Sequence, residues 1–225
     1  MLLDNKVAIV TGGSRGIGYA TVEAFLQEGA KVVLCASRQE TADKAVAKLK
    51  EAYPDAVAEG IFPNLSDWEA VKAAFDNVAE KYGKIDILVN NAGVSESTPF
   101  TEYTAETFEK VMDLNIKGVY NCSKAASVHM IAAGSGVILN TSSMVSQYGQ
   151  PAGIAYHTSK FEVKGFTLSL PRELGPKGIR VNAVAPGITY TDMMRQVPKE
   201  VIDPMIAQIP LRRMGQPEDI ANAFV

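Results

Sequence analysis

Apolar residues fall along this chain in short unbroken runs that alternate with longer stretches of helical period. Residues 6–11, Lys-Val-Ala-Ile-Val-Thr, form the first such run, the pattern of a strand buried on both faces. The same pattern predicts strands over 31–36, 56–62, 85–89, 136–140 and 180–185. Helices are predicted over 16–29, 40–53, 66–82, 104–133 and 154–174. Pro54 closes the second helix, and Ser66 with Glu69 has capping-box spacing for the third. Gly118 leaves the course of the fourth open. Pro171 predicts a kink or an early end in the fifth, because an interior proline costs about 3 kcal/mol.

This alternation predicts an α/β protein: a Rossmann-like, doubly wound parallel sheet with helices on both faces, in one domain over 1–225. Such sheets bind ligands beyond the carboxyl ends of their strands. Residues 189–213 follow the last of those ends. Met193, Met194, Met205, Pro198, Pro204 and Pro210 break any simple period there, which marks a candidate substrate lid.

Composition narrows the class. Of 225 residues, 47% are apolar and 21% charged, with 18 Gly, 11 Pro and a formal charge of −3, which excludes disordered, collagen-like and disulfide-stapled chains. Interspersed charge of mildly acidic balance argues against nucleic acid. No apolar run approaches the roughly 18 residues of a membrane span, and the start lacks the order of a signal peptide. Cys35 and Cys122 make neither a disulfide framework nor a metal cluster and read as packed thiols. Carboxylates and histidines show no ligand spacing, so no metal is expected. His129 reads as structural. His157 follows Tyr156 but points about 100° away on a helix, too far round to relay its proton. A cytoplasmic globular protein is expected.

Chemistry concentrates at the strand ends. After the first strand comes Thr11-Gly12-Gly13-Ser14-Arg15-Gly16-Ile17-Gly18. Gly12 permits a tight turn, Gly16 lets backbone approach a pyrophosphate, Gly18 allows close helix packing, and the helix N-terminus offers free N–H groups to phosphate. The fourth strand ends in Asn90-Asn91-Ala92-Gly93, short amides and glycine that leave room for a flat ligand. Tyr156 and Lys160 stand one helical turn apart, and a nearby cation favours phenolate, which would suit Tyr156 to acid–base work. Tyr120 and Lys124 share that spacing. Ser142 and Ser143 decide between them: Ser143 ends a strand thirteen residues before Tyr156, and Tyr120, with Thr107 at that offset, reads as a packing residue.

Taken together and in this order, the motifs resemble the short-chain dehydrogenase/reductase family, from Thr11 to Asp219. The resemblance implies a catalytic tetrad of Asn115, Ser143, Tyr156 and Lys160. Tyr156 would exchange a proton with a substrate oxygen that Ser143 hydrogen-bonds, Lys160 would hold the nicotinamide ribose, and Asn115 would support a water-linked proton path. The implied dinucleotide contacts are Gly12, Ser14, Arg15, Gly16, Ile17, Gly18, Ser37, Arg38, Asn64, Leu65, Asn91, Ala92, Gly93, Tyr156, Lys160, Pro186, Gly187, Ile188 and Thr191. Asn64 stands where members often carry Asp. Gln216-Pro217-Glu218-Asp219 reads as a helix start. Members usually continue through one more strand that helps form dimers and tetramers, so the last strand is expected beyond Val225 and the assembly to be a homodimer or homotetramer.

The implied reaction interconverts a secondary alcohol and a ketone. The run Tyr53-Pro54, Phe62-Pro63-Asn64-Leu65 and Met214 before Pro217-Glu218 is similar to bacterial hydroxysteroid dehydrogenases, which favours a bulky hydrophobic alcohol. A 3-oxoacyl-acyl-carrier-protein reductase is the alternative, and a non-catalytic nucleotide sensor on the same fold is the rival of another class. Strand two ends Cys35-Ala36-Ser37-Arg38 with no carboxylate before Glu40. Arg38, Ser37 and Arg15 suit a 2′-phosphate, so NADP(H) is the expected coenzyme. NAD(H) stays open, since Glu40 could turn back to the ribose.

Overall fold

The computed structural model describes residues 1–195 and 198–225. Six parallel strands, β1 (Val7–Thr11), β2 (Lys31–Cys35), β3 (Ala58–Ile61), β4 (Ile87–Asn90), β5 (Gly136–Thr141) and β6 (Ile179–Val184), form one sheet in the order β3-β2-β1-β4-β5-β6. Every residue of β1 is buried, as its unbroken apolar run requires. Successive side chains of a strand face opposite ways. Val7 and Ile9 thus join one core with Val33, Leu88, Ile138 and Phe75, while Ala8 and Val10 join the other with Val32, Leu34, Val89 and Phe25.

The helices α1 (Gly16–Gln27) and α2 (Gln39–Ala52) cover the second core. On the opposite face lie α3 (Trp68–Tyr82) and, after α4 (Ala105–Met112), α5 (Gly118–Ala133). The chain continues through α6 (Ile154–Leu174), the short α7 (Asp192–Arg195), α8 (Lys199–Gln208) and α9 (Pro217–Phe224), whose Phe224 packs into the second core.

Local physics moved several expected boundaries. Helix α3 starts two residues late because Asp67, not Ser66, is its cap: the Asp67 carboxylate accepts from the Glu69 and Ala70 N–H groups. The expected helix over 104–133 is two helices joined by a π-helical turn, Asp113–Lys117. Pro171 does not end α6 early, since it lies in the last turn, where one donor is forfeited and the Gly175 N–H still reaches the Pro171 carbonyl. The candidate lid over 189–213 consists of α7, α8 and their connections; its residues 196 and 197 lie outside the described residues. No helix among the described residues is long and apolar enough to cross a membrane.

Strand order reverses between β1 and β4. Connections on either side of this point leave in opposite directions and open a crevice at the carboxyl ends of the two strands.

Candidate active site

The crevice is built by Thr11, Gly12 and the turn after β4. The Thr11 hydroxyl accepts from the backbone N–H of Asn91 (2.9 Å) and Ala92 (3.0 Å) and donates to the Val89 carbonyl (3.2 Å). The Asn91 amide donates to the Thr11 carbonyl at 3.2 Å and accepts from the Thr141 hydroxyl at 3.4 Å, so one side chain ties β1, β4 and β5. Gly12 has φ +65°, and a Cβ there would stand 2.9 Å from the Ala92 Cα. A Cβ on Gly18 would overlap the Gly12 carbonyl oxygen. Gly12 takes the positive φ of the tight turn expected there, and Gly18 the close packing. The sequence reading missed Gly13, whose Cβ would lie 2.7 Å from the Leu34 Cβ, and Thr11, whose clamp has no local signal.

The second wall is the end of β5 and the start of α6. Ser143 caps the turn Met144–Ser146, and its hydroxyl stands close enough to the Tyr156 phenol to favour the phenolate. Ser142 is turned away, donating to the Lys160 carbonyl at 3.1 Å, which separates the serine pair as its spacing suggested. Lys160 is 6% exposed; its ammonium donates to the Thr141 carbonyl at 2.8 Å and lies 5.6 Å from the Tyr156 ring centroid. Burial holds this lysine down, from 10.5 to about 8. Burial also raises the Tyr156 phenol above its ordinary value, the neighbouring Ser143 hydroxyl opposing it. The expected lowering of Tyr156 by Lys160 does not emerge in the protein alone, where desolvation is the largest influence on the phenol and the Ser143 hydroxyl the opposing one.

Asn115 sits in the π-helical turn, 1% exposed. Its amide brackets Val94, accepting from the N–H and donating to the carbonyl, both at 2.9 Å, and donates to the Ser159 hydroxyl at 3.0 Å. Asn115 and Lys160 both come near Gly93: a Cβ there would lie 3.1 Å from the Asn115 Oδ1 and 3.9 Å from the Lys160 Nζ. The four residues expected to act together thus lie about the neighbouring ends of β4 and β5. Behind them, Asn90 donates to Ser123 and Asn140 at 2.9 Å, and Asn140 donates to Thr167 at 2.9 Å, an amide network locking α5 and α6 to the sheet.

A cleft of about 530 Å³ runs from the glycine turn to α2, with Ser14, Arg15, Gly16, Arg38, Lys44 and Lys48 among its lining. Among the described residues no side chain caps α1, and its first turn holds no acidic residue, which leaves this N-terminus suited to an anion. Glu40 lines the cleft but is paired with Lys44 at 2.6 Å. Glycines without room for a Cβ, an uncapped helix and a cationic cleft in line are what a dinucleotide requires. Ser37 is exposed beside the cleft. Ile17 packs into the core under α1. Asn64 forms a turn with the Ser66 N–H, and the Leu65 carbonyl accepts from Asn121.

The remaining segment, 186–191, arches from one wall to the other. The Pro186 carbonyl accepts from the Met144 N–H at 2.9 Å, a Cβ on Gly187 would touch the Met144 sulfur at 3.0 Å, and the Thr191 methyl lies 3.4 Å from where a Gly16 Cβ would be. Ile188 is held by the Gly215 N–H. His157 is buried and bonded to Gln150 at 3.0 Å, away from proton transfer. His129 pairs with Asp76 across α3 and α5. Both cysteines are free and buried, Cys35 pushed up to about 12 by burial. Tyr120 departs from expectation: it is 49% exposed on the outer face of α5, not packed.

A doubly wound sheet with a dinucleotide-shaped crevice and a serine–tyrosine–lysine group at its edge defines a nicotinamide-dependent oxidoreductase of alcohols and ketones. The chain belongs to the short-chain dehydrogenase family, whose pattern matches residues 6–201. It is 60% identical, over 100% of its length and 90% of the relative's, to a 3alpha-hydroxysteroid dehydrogenase of Mediterraneibacter gnavus. It is 38% identical, over 100% and 91% of the two chains, to the 3-oxoacyl-acyl-carrier-protein reductase FabG of Thermotoga maritima. The crystal structure of NAD+-bound xylitol dehydrogenase superposes with a TM-score of 0.94 at 33% identity, covering 99% of this chain and 92% of that one.

Proposed function

We propose that this protein oxidises a hydroxyl of a steroid, or reduces the matching ketone, with Tyr156 as acid–base group. The observation that carries the reading is the placing of Tyr156 beside Ser143 with the Lys160 ammonium 5.6 Å from its ring centroid, in a chain 60% identical to a 3alpha-hydroxysteroid dehydrogenase. Ser143 holds the substrate oxygen and stabilises charge on it. Tyr156 gives or takes the proton at that oxygen. Lys160 supplies positive charge beneath the phenol and binds the ribose, and Asn115 fixes the backbone at Val94 and Gly93. When bound, the nicotinamide supplies the hydride donor or acceptor. Met144 and Ile154, 45% and 43% exposed beside Ser143 and Tyr156, offer apolar surface suited to a bulky hydrophobic alcohol.

A panel of hydroxysteroids and their ketones, followed by absorbance of the reduced nicotinamide, tests the substrate. Turnover confined to 3-oxoacyl thioesters would favour the reductase reading instead. Tyr156→Phe is expected to lose about 10²–10⁴ of turnover while dinucleotide binding persists. Tyr120→Phe serves as control, and wild-type-like turnover in Tyr156→Phe would sink the assignment.

We infer a preference for NADP(H). The cleft brings Arg15, Arg38, Lys44 and Lys48 together, and its one carboxylate, Glu40, already has a partner in Lys44. Guanidinium groups match phosphate oxygens in pairs. Arg38→Ala is expected to weaken NADP(H) far more than NAD(H), and a wild-type kcat/KM higher with NAD(H) reverses this reading. A homodimer or homotetramer in the cytoplasm completes the proposal.

A further inference from the structure

The run Gln216-Pro217-Glu218-Asp219 starts a helix, and the site described above makes no use of it. Its geometry reaches further than a cap. The Gln216 side chain and the Asp219 carboxylate form a capping box at the head of α9, with the Gln216 N–H donating to Asp219 at 2.8 Å. The same carboxylate takes both arms of Arg213, at 2.7 and 3.3 Å. Three donors therefore converge on one side chain, and Met214 and Gly215 are the short bridge between Arg213 and Gln216.

Gly215 is in turn the partner of the segment that arches over the crevice. Its N–H donates to the Ile188 carbonyl at 2.9 Å and its carbonyl accepts from the Tyr190 N–H at 2.8 Å, an isolated parallel bridge centred on Thr189. Thr189 is buried, and Thr191, two residues on, rests against Gly16. Helix α9 is anchored by the buried side chains of Ala221 and Phe224. The path from a fixed helix to the arch is thus continuous: α9, Asp219, the 213–216 turn, Gly215, then 188–190. An exposed ion pair taken alone contributes little to stability. Here its effect falls on where the arch stands.

We propose that Asp219, together with Arg213, is a positioning residue for the nicotinamide half of the dinucleotide, acting through Gly215 on residues 188–190. The inference rests on the reading that 186–191 covers that half. It makes a selective demand: the adenosine half, held by the glycine turn and the cationic cleft, should not depend on Asp219.

Calorimetric titration of the full-length protein with oxidised NADP and with 2′-phospho-ADP-ribose, which lacks the nicotinamide, separates the two halves. Asp219→Ala is expected to weaken the dinucleotide about tenfold, within the usual range of coupling between sites. It should leave the nicotinamide-free ligand within about twofold, the scatter of independent sites. Arg213→Met should do the same, and the double variant should add little, because the two act as one unit. Equal weakening of both ligands, or none, overturns the proposal and leaves Asp219 a helix cap. Should Asp219→Ala fail to fold, Asp219→Asn keeps the bond to the Gln216 N–H and must show the same selectivity in smaller degree, or the proposal falls. A wild type that binds the two ligands equally well would locate the failure in the reading of 186–191, and would overturn the proposal with it.

Discussion

Lys160 carries an electrostatic penalty within the site. Its ammonium is buried with one carbonyl partner, and burial brings it from 10.5 to about 8. The sign of the consequence follows from proton binding. Between about 8 and 10.5 the unfolded chain holds a proton that the folded chain has released, so this residue's contribution to stability rises with pH across that window. Below it the full penalty applies, at most on the order of 3 kcal/mol. Lys160→Met is accordingly expected to unfold at a higher temperature than wild type at pH 7, with the gap closing toward pH 10.5, while turnover is lost. Thermal unfolding of both proteins across this range checks it. A variant less stable than wild type at pH 7 would show that the bond to Thr141 outweighs desolvation. Such a cost at a functional position is the usual exchange of stability for chemistry.

At the scale of elements, two joints hold the crevice open. One is the Thr11 hydroxyl, the polar end of an otherwise apolar strand, which satisfies two backbone N–H groups of the neighbouring turn. Thr11→Val keeps the shape and leaves both without that partner, an expected loss of about 1–3 kcal/mol in denaturant unfolding. Dinucleotide binding should weaken as well, since Gly12 and Ala92 are in close approach there. The other joint is the π-helical turn at 113–117, which turns Asn115 inward to grip the backbone of Val94. A helix of regular period would spread these residues over its surface. One extra residue in the turn is what changes the facing, and such turns recur at functional sites.

At the scale of the whole molecule, the outer face of α4, α5 and α6 carries an apolar groove of about 820 Å³ lined by Met112, Ile116, Tyr120, Val163 and Phe166, among others. Phe108 and Phe161, half-exposed on α4 and α6, extend its apolar character. A contiguous apolar patch of this kind marks an interaction site in a soluble protein. With self-association proposed, sedimentation is expected to give dimers or tetramers, and Phe166→Glu to shift the mass toward the monomer. A monodisperse wild-type monomer would end that reading. The groove also explains Tyr120, whose spacing to Lys124 imitates the catalytic pair. Its phenol lies on this outer surface, where Lys124 is shared between its ring and that of Trp68.

Periodicity and glycine placement alone determined the six strands, the parallel sheet and the position of the dinucleotide crevice. These depend on local rules: buried strands need unbroken apolar runs, and close backbone approach needs glycine. The spacing of Ser143 to Tyr156 likewise pointed to the pair proposed as reactive, one just past the end of β5 and the other in the first turn of α6. Other features were decided only in three dimensions. Thr11 became a clamp because β4 lies beside β1, eighty residues away in sequence. Asn115 turned inward through a π-helical bulge that no residue pattern announces. Tyr156 is raised because burial, a property of the packed whole, is the largest influence on its phenol. Asp219 gained a role beyond its helix through Gly215, whose partner strand segment lies more than twenty residues earlier. Sequence determines what each residue can do locally, whereas desolvation and contacts between distant segments exist only once the sheet has closed around them.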